Sequence, residues 1–174
     1  VVNNMAASGG AYGMYAYTPR FVDFYNNTFK GSTYGAYLYS TTSTTLKSKM
    51  WNVQNNIFVG GSNYAVYVPT IPDSIIGWDY NLYNTGGANL ARWGTTNYAT
   101  LAAWQTANTA YNQNSSDAAV LFASSDDLHV VNGGPNNIAT PIASVTVDVD
   151  GDSRSTTTPD IGADEFAPIS DDAA

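Results

Sequence analysis

The sequence contains no cysteine, so it can form neither a disulfide nor a thiolate metal site. It has one histidine, His129, and one glutamate, Glu165. Six basic residues face 14 acidic ones, for a net charge of −8. A nucleic-acid partner needs clustered Lys and Arg to neutralise phosphates, so this balance argues against one. No run of 18 apolar residues occurs, so no membrane-spanning helix is expected. No secretory leader is visible. Charged residues make up only 11%, against about a quarter in typical domains. A helical domain built on Leu, Glu, Lys and Arg is therefore a poor match.

In their place stand Asn, Thr, Ser, Gly and 13 Tyr, with 44% apolar residues in a chain of 174. That is a globular composition with enough length for one domain and a core. It suits β surfaces and tight turns.

The order of these residues is periodic. Asn4, Asn27, Asn56 and Asn81 recur at intervals of 23, 29 and 25 residues. The preceding position holds Asn3, Asn26, Asn55 and Tyr80; two after the anchor come Ala6, Phe29, Phe58 and Tyr83. Three before it lie Val1, Phe24, Val53 and Trp78, and five before it Val22, Trp51 and Ile76. This is strand alternation running into a fixed bend. Short strands repeating every 20–30 residues without intervening helices mark a solenoid. The expected fold is all-β: a right-handed parallel β-helix of three to four coils over 1–95. A cap containing a short helix is expected over 96–166, and a linker over 167–174. In such a stack Asn27, Asn56 and Asn81 lie about 4.8 Å apart, with amides bonded rung to rung. The competing architecture is an antiparallel sandwich with Asn in ordinary turns.

A second element follows each bend: AYGMYAY (11–17), TYGAYLY (33–39) and NYAVYV (63–68). Alternation groups Tyr12, Met14 and Ala16 on one face, as it does Tyr34, Ala36 and Leu38, and Tyr64, Val66 and Val68. If the small aliphatics face inward, Tyr15, Tyr37 and Tyr67 form an outward ladder with Tyr17 and Tyr39 beside it. Flat rings with hydroxyls stack on sugars and bond their oxygens, so a polysaccharide or glycan is the partner this surface fits. The stripe also reads as a self-stabilising ladder, as a face covered by another domain, or, with the faces reversed, as core.

Near residue 95 the period ends. NYATLAAWQTA (97–107) spaces Tyr98, Leu101 and Trp104 along one face of a short helix. LFASSDDLHV, VDVDGDSR and PDIGADEF follow. Together with WDYNLY and LAAWQ these segments resemble the C-terminal end of secreted bacterial β-helix proteins of the pectate-lyase-like superfamily, as found in Bacteroidetes. The resemblance covers residues 1–166. It implies an extracellular or outer-cell-surface location and neighbouring domains in a longer chain. It does not imply one activity, because the fold hosts lyases, hydrolases, adhesins and stalks.

In DVDGDSR, Asp148, Asp150 and Asp152 alternate around Gly151 like the first half of a calcium loop, but position 159, where the closing acid belongs, is Pro. Ca²⁺ is thus a candidate cofactor with an incomplete ligand set. The competing reading is a structural cap in which Arg154 pairs with Asp160, Asp164 or Glu165. His129, alone in the sequence, reads as structural. A lyase centre needs clustered cations; Lys47 and Lys49 share the loop 41–49, with no carboxylate nearby in sequence. A glycosidase pair needs carboxylates on adjacent coils, whereas Asp23 and Asp79 stand a full coil apart. The segment therefore reads as non-catalytic, an adhesion or carbohydrate-binding module. The end of a polysaccharide lyase or hydrolase, or a purely structural stalk, are the alternatives.

Overall fold

The computed structural model describes residues 1–43 and 45–167. The linker expected over 167–174 lies outside the described residues from 168 onward. The chain winds as a parallel β-solenoid of about four turns. The first coil carries β1 (Met5–Ser8) and β2 (Tyr12–Tyr17). The second carries β3 (Arg20–Tyr25), β4 (Thr28–Gly31) and β5 (Tyr34–Tyr39). The third carries β6 (Lys49–Gln54), β7 (Ile57–Gly60) and β8 (Val66–Val68), and the fourth β9 (Ile75–Asp79), β10 (Leu82–Thr85) and β11 (Ala91–Trp93). Equivalent strands pair in parallel, giving sheets ordered β1-β4-β7-β10 and β3-β6-β9. A third sheet runs β2-β5-β8-β11 and ends on β12 (Thr96–Tyr98), which pairs antiparallel to β11.

The bend between the β3-β6-β9 sheet and the next divides its work between two residues. Asn3, Asn26, Asn55 and Tyr80 take left-handed angles, with φ of 52°, 50°, 59° and 54°. Asn tolerates this region because its short polar side chain finds local partners. The following residue forms the ladder. Asn27 donates through Nδ2 to Asn56 Oδ1 at 2.8 Å, and Asn56 to Asn81 Oδ1 at 3.0 Å. The ladder ends where Asn81 N–H meets Ser115 Oγ at 3.0 Å. Within the coil, Phe29, Phe58 and Tyr83 stack at 6.2 and 5.9 Å. Trp51, Val53, Ala36, Leu38, Val66 and Val68 are fully buried around them.

Helix α1 (Leu101–Ala107) closes the last coil, with Thr100 capping it by accepting from Ala103 N–H. Trp104 is fully buried, its ring 5.3 Å from Tyr83 and 5.4 Å from Trp93. Tyr98, expected on the helix, belongs to β12, and its ring stacks on Trp104 at 6.1 Å. The helix starts three residues later because Thr100 is extended and supplies the cap.

The remaining chain does not stop at the last coil. It returns along the outside of the β1-β4-β7-β10 sheet as a mostly irregular strap. Val120 N–H bonds Asn84 Oδ1 beside the fourth coil, Ala163 N–H bonds Thr28 Oγ1 on the second, and Asn3 Nδ2 reaches Val147 O at the first. A second core of Ile57, Leu82, Val130, Ala139 and Ile161 forms beneath it. Gly162 sits at φ 108°, and a Cβ there would stand 2.6 Å from Ile57 Cδ1. Glycine alone lets the strap approach that closely.

Candidate functional site

The β2-β5-β8-β11 sheet carries the aromatic surface. Its inward positions, Ala36, Leu38, Val66 and Val68, are sealed in the core. Tyr15 pairs with Tyr37, and Tyr37 with Tyr67, in strict register. Their rings lie 5.2 and 4.7 Å apart. Tyr17 stacks on Tyr39 at 5.1 Å in the next column. Tyr15 is 50% exposed and Tyr17 67%, and Tyr37, Tyr39 and Tyr67 are half-buried.

Tyr12, Tyr34 and Tyr64 depart from the alternation expected of them. None of the three shares the inner face with Met14, Ala36 and Val66. They stack with one another at 5.4 and 6.1 Å and meet the outward column edge-on, Tyr34 lying 5.5 Å from Tyr37. The cause is the corner at Gly13 and Gly35. A Cβ on Gly35 would stand 2.5 Å from Ala65 O and 2.6 Å from Val59 N. The backbone turns so tightly there that the alternation restarts. The face therefore holds eight tyrosines in three columns, packed in a mixture of stacked and T-shaped contacts.

Burial raises the Tyr34 and Tyr37 hydroxyls above the ordinary phenol value, so both remain protonated donors at neutral pH. Asn63 Nδ2 donates to Tyr34 OH at 3.3 Å.

The column continues into a residue that sequence reasoning missed. Arg92 on β11 stands in register with Tyr67, and Asn97 on β12 follows it. Arg92 donates through Nε to Gly94 O and through Nη1 to Asn97 Oδ1, both at 2.8 Å. Tyr64 OH donates to the same Asn97 oxygen at 3.1 Å. Arg92 makes no ion pair among the described residues. The signal was available: LARW repeats the outward position of VYV, with Arg in place of Tyr.

The strap holds the other candidate residues. Asp148 Oδ1 accepts from Asp150 and Asp152 N–H, and its Oδ2 from Glu165 N–H. Both oxygens thus build a turn; Asp152 is exposed, and Asp150, also exposed, reaches His129 Nε2 at 2.8 Å. Arg154 is buried, and burial lowers its pKa from the ordinary guanidinium value. Its Nη1 meets Glu165 at 3.3 Å, and its Nη2 donates to the Gly162 and Ala163 carbonyls at 2.9 Å and to Asn3 Oδ1 at 3.2 Å. Asp160 meets Arg154 only through its backbone carbonyl; its carboxylate accepts from Asn137 and Phe166 N–H at 2.6 and 2.8 Å.

The catalytic candidates remain dispersed. Lys47 finds a carboxylate after all, Asp73 at 2.9 Å. Lys49 lies over the Phe21 ring. Asp23 stands in the Asn52 column and Asp79 in the Gln54 column. Asp79 accepts from the Asn114 backbone and side chain at 2.8 Å, which anchors the turn beyond α1. His129 is not isolated: it contacts Asp127 through Nδ1 and Asp150 through Nε2.

These features define a parallel β-solenoid with an internal asparagine ladder and an exposed tyrosine sheet. No family model, no curated protein and no solved structure matches the chain.

Proposed function

We propose that the chain is a non-catalytic, extracellular or cell-surface module that binds a polysaccharide through the tyrosine sheet. The observation that supports this reading most is the register of Tyr15, Tyr37 and Tyr67, ending on Arg92. Parallel rungs repeat about every 4.8 Å, so three rungs present a ribbed aromatic strip in which each ring is tilted 33° to its neighbour. Rings of this kind contact the apolar faces of sugars, and their protonated hydroxyls bond sugar oxygens. Tyr17 and Tyr39 widen the strip. A secreted, pectate-lyase-like relationship and neighbouring domains in a longer parent chain fit this role and belong to the same proposal.

A glycan array probed with the intact chain tests it. The expected result is selective retention of one glycan class, weakened about tenfold by either Tyr37→Ala or Tyr67→Ala with the fold preserved by circular dichroism. Retention undiminished in both variants overturns it.

A further inference from the structure

The strap brings together a donor set that the tyrosine sheet does not use. Among the described residues, one group of three metal-ligating side chains converges: His129, Asp150 and Asp164, with one ligand atom from each inside a 4.8 Å span. They come from three separate turns. His129 Nε2 lies 2.8 Å from Asp150 Oδ2. Asp164 is only 6% exposed. One of its oxygens is fixed by Val130 N–H at 2.9 Å, and the other has no hydrogen-bond partner among the described residues. Behind the imidazole, Asp127 accepts from the His129 backbone N–H and contacts Nδ1. A carboxylate on the far nitrogen orients the ring, and a bound ion would displace the proton that Nε2 shares with Asp150.

We propose that His129 Nε2, Asp150 and Asp164 form a binding site for a divalent transition-metal ion, with Asp127 orienting the imidazole. The donor chemistry selects the ion. An imidazole nitrogen with two carboxylates suits Zn²⁺ and its neighbours, whereas Ca²⁺ takes six to eight oxygens. Ligand atoms around an ion at about 2.1 Å stand about 3.0–3.4 Å apart, so the Nε2–Oδ2 pair opens by a few tenths of an ångström. The frame is set without the ion. Ser124 Oγ accepts from Asp126 and Asp127 N–H, and Asp148 holds the turn that presents Asp150. His129 is half-buried and Asp150 exposed, which leaves an entry path and room for water ligands. The ion would staple the 124–131 turn, the DVDGD turn and the closing segment to one another. It uses Asp150 of the calcium motif read in the sequence, but neither Asp148, whose oxygens are engaged, nor Asp152.

The experiment titrates the metal-stripped chain with Co²⁺, followed by visible d–d absorption, and measures thermal unfolding with Zn²⁺ or Ca²⁺. The expected result is one Co²⁺ per chain, displaced by Zn²⁺, and a Tm raised by Zn²⁺ but not by Ca²⁺ at equal concentration. His129→Ala should abolish the band, and Asp127→Asn should weaken binding about 10–100-fold. Asp152→Asn should leave binding intact. Asp150→Asn alters an exposed side chain, so the fold should survive while the band is lost. No saturable band, a band that persists in Asp150→Asn, or stronger stabilisation by Ca²⁺ than by Zn²⁺ would each overturn the site.

Discussion

Asn56 Oδ1 accepts twice from Asn27, from the backbone N–H at 3.1 Å and from Nδ2 at 2.8 Å. One side chain thus satisfies both the bend and the ladder of the coil below. Asn56 Nδ2 in turn donates to Phe24 O, Gln54 O and Asn81 Oδ1. Asn56→Ala removes these bonds and leaves the buried Asn27 backbone N–H without a partner, while Asn27 Nδ2 keeps Tyr25 O and Val1 O. The orphaned N–H costs about 1–3 kcal/mol and each lost bond about 1 kcal/mol, so a loss of about 3–5 kcal/mol is expected by urea denaturation. Asn4 accepts no bond from a lower rung among the described residues and is exposed. Asn4→Ala should therefore cost under half as much.

Trp104 closes the solenoid. Its removal opens the rings of Tyr83, Trp78 and Trp93 to water at the end of the stack. Trp104→Ala should destabilise by about 3–5 kcal/mol and increase binding of a hydrophobic dye. Equal stability to wild type would show that α1 is not the closing element.

The corner at Gly35 predicts a strain effect. Gly35→Ala forces a methyl against the Ala65 carbonyl and the Val59 N–H. Overpacking of this kind costs about 1–3 kcal/mol. The substitution should also displace Tyr34 from the aromatic face, visible as a change in near-ultraviolet dichroism. Gly9 has nothing within 4 Å of its Cβ position, so Gly9→Ala should be neutral in the same assays.

Asp160 predicts a pH dependence. Burial pushes its carboxyl up from 3.8 to about 6, and Glu165 adds to the rise, against the Asn137 and Phe166 N–H bonds and the Arg154 charge. The folded chain therefore holds this proton more tightly than the unfolded chain. Its contribution to stability is complete below about pH 4 and is lost as pH rises through about 6, a change of up to ~3 kcal/mol. Urea denaturation at pH 4.5 and 7 should reveal the decline, and Asp160→Asn should flatten it. An unchanged decline in that variant would assign it to other groups.

The coils were legible because a solenoid repeats its chemistry. The buried amides and rings at Asn27, Asn56, Phe29 and Phe58 each solve the same packing problem one rung apart, so the spacing in sequence reports the stacking in space. Phe21 and Met50 were not legible. They occupy equivalent, left-handed positions at φ 55° and 58° although neither residue favours them. The outward turn of Tyr34 was hidden because a two-residue period cannot register a glycine corner. The strap has no period, so sequence indicated neither its course to the first coil nor the meeting of His129 with Asp150 and Asp164. The buried role of Arg154 was foreseeable from its acidic neighbours, but its contact with Asn3, 151 residues away, was not.

The central claim is that the exposed tyrosine columns are the working surface. Its most direct measurement is calorimetric affinity for the glycan class selected on the array, comparing Tyr37→Ala with Ile76→Ala. Ile76 is 60% exposed on a different sheet. Loss of one stacking ring, worth about 1.4 kcal/mol, predicts affinity about tenfold weaker for Tyr37→Ala and unchanged for Ile76→Ala. Equal affinities in the two variants would contradict the account.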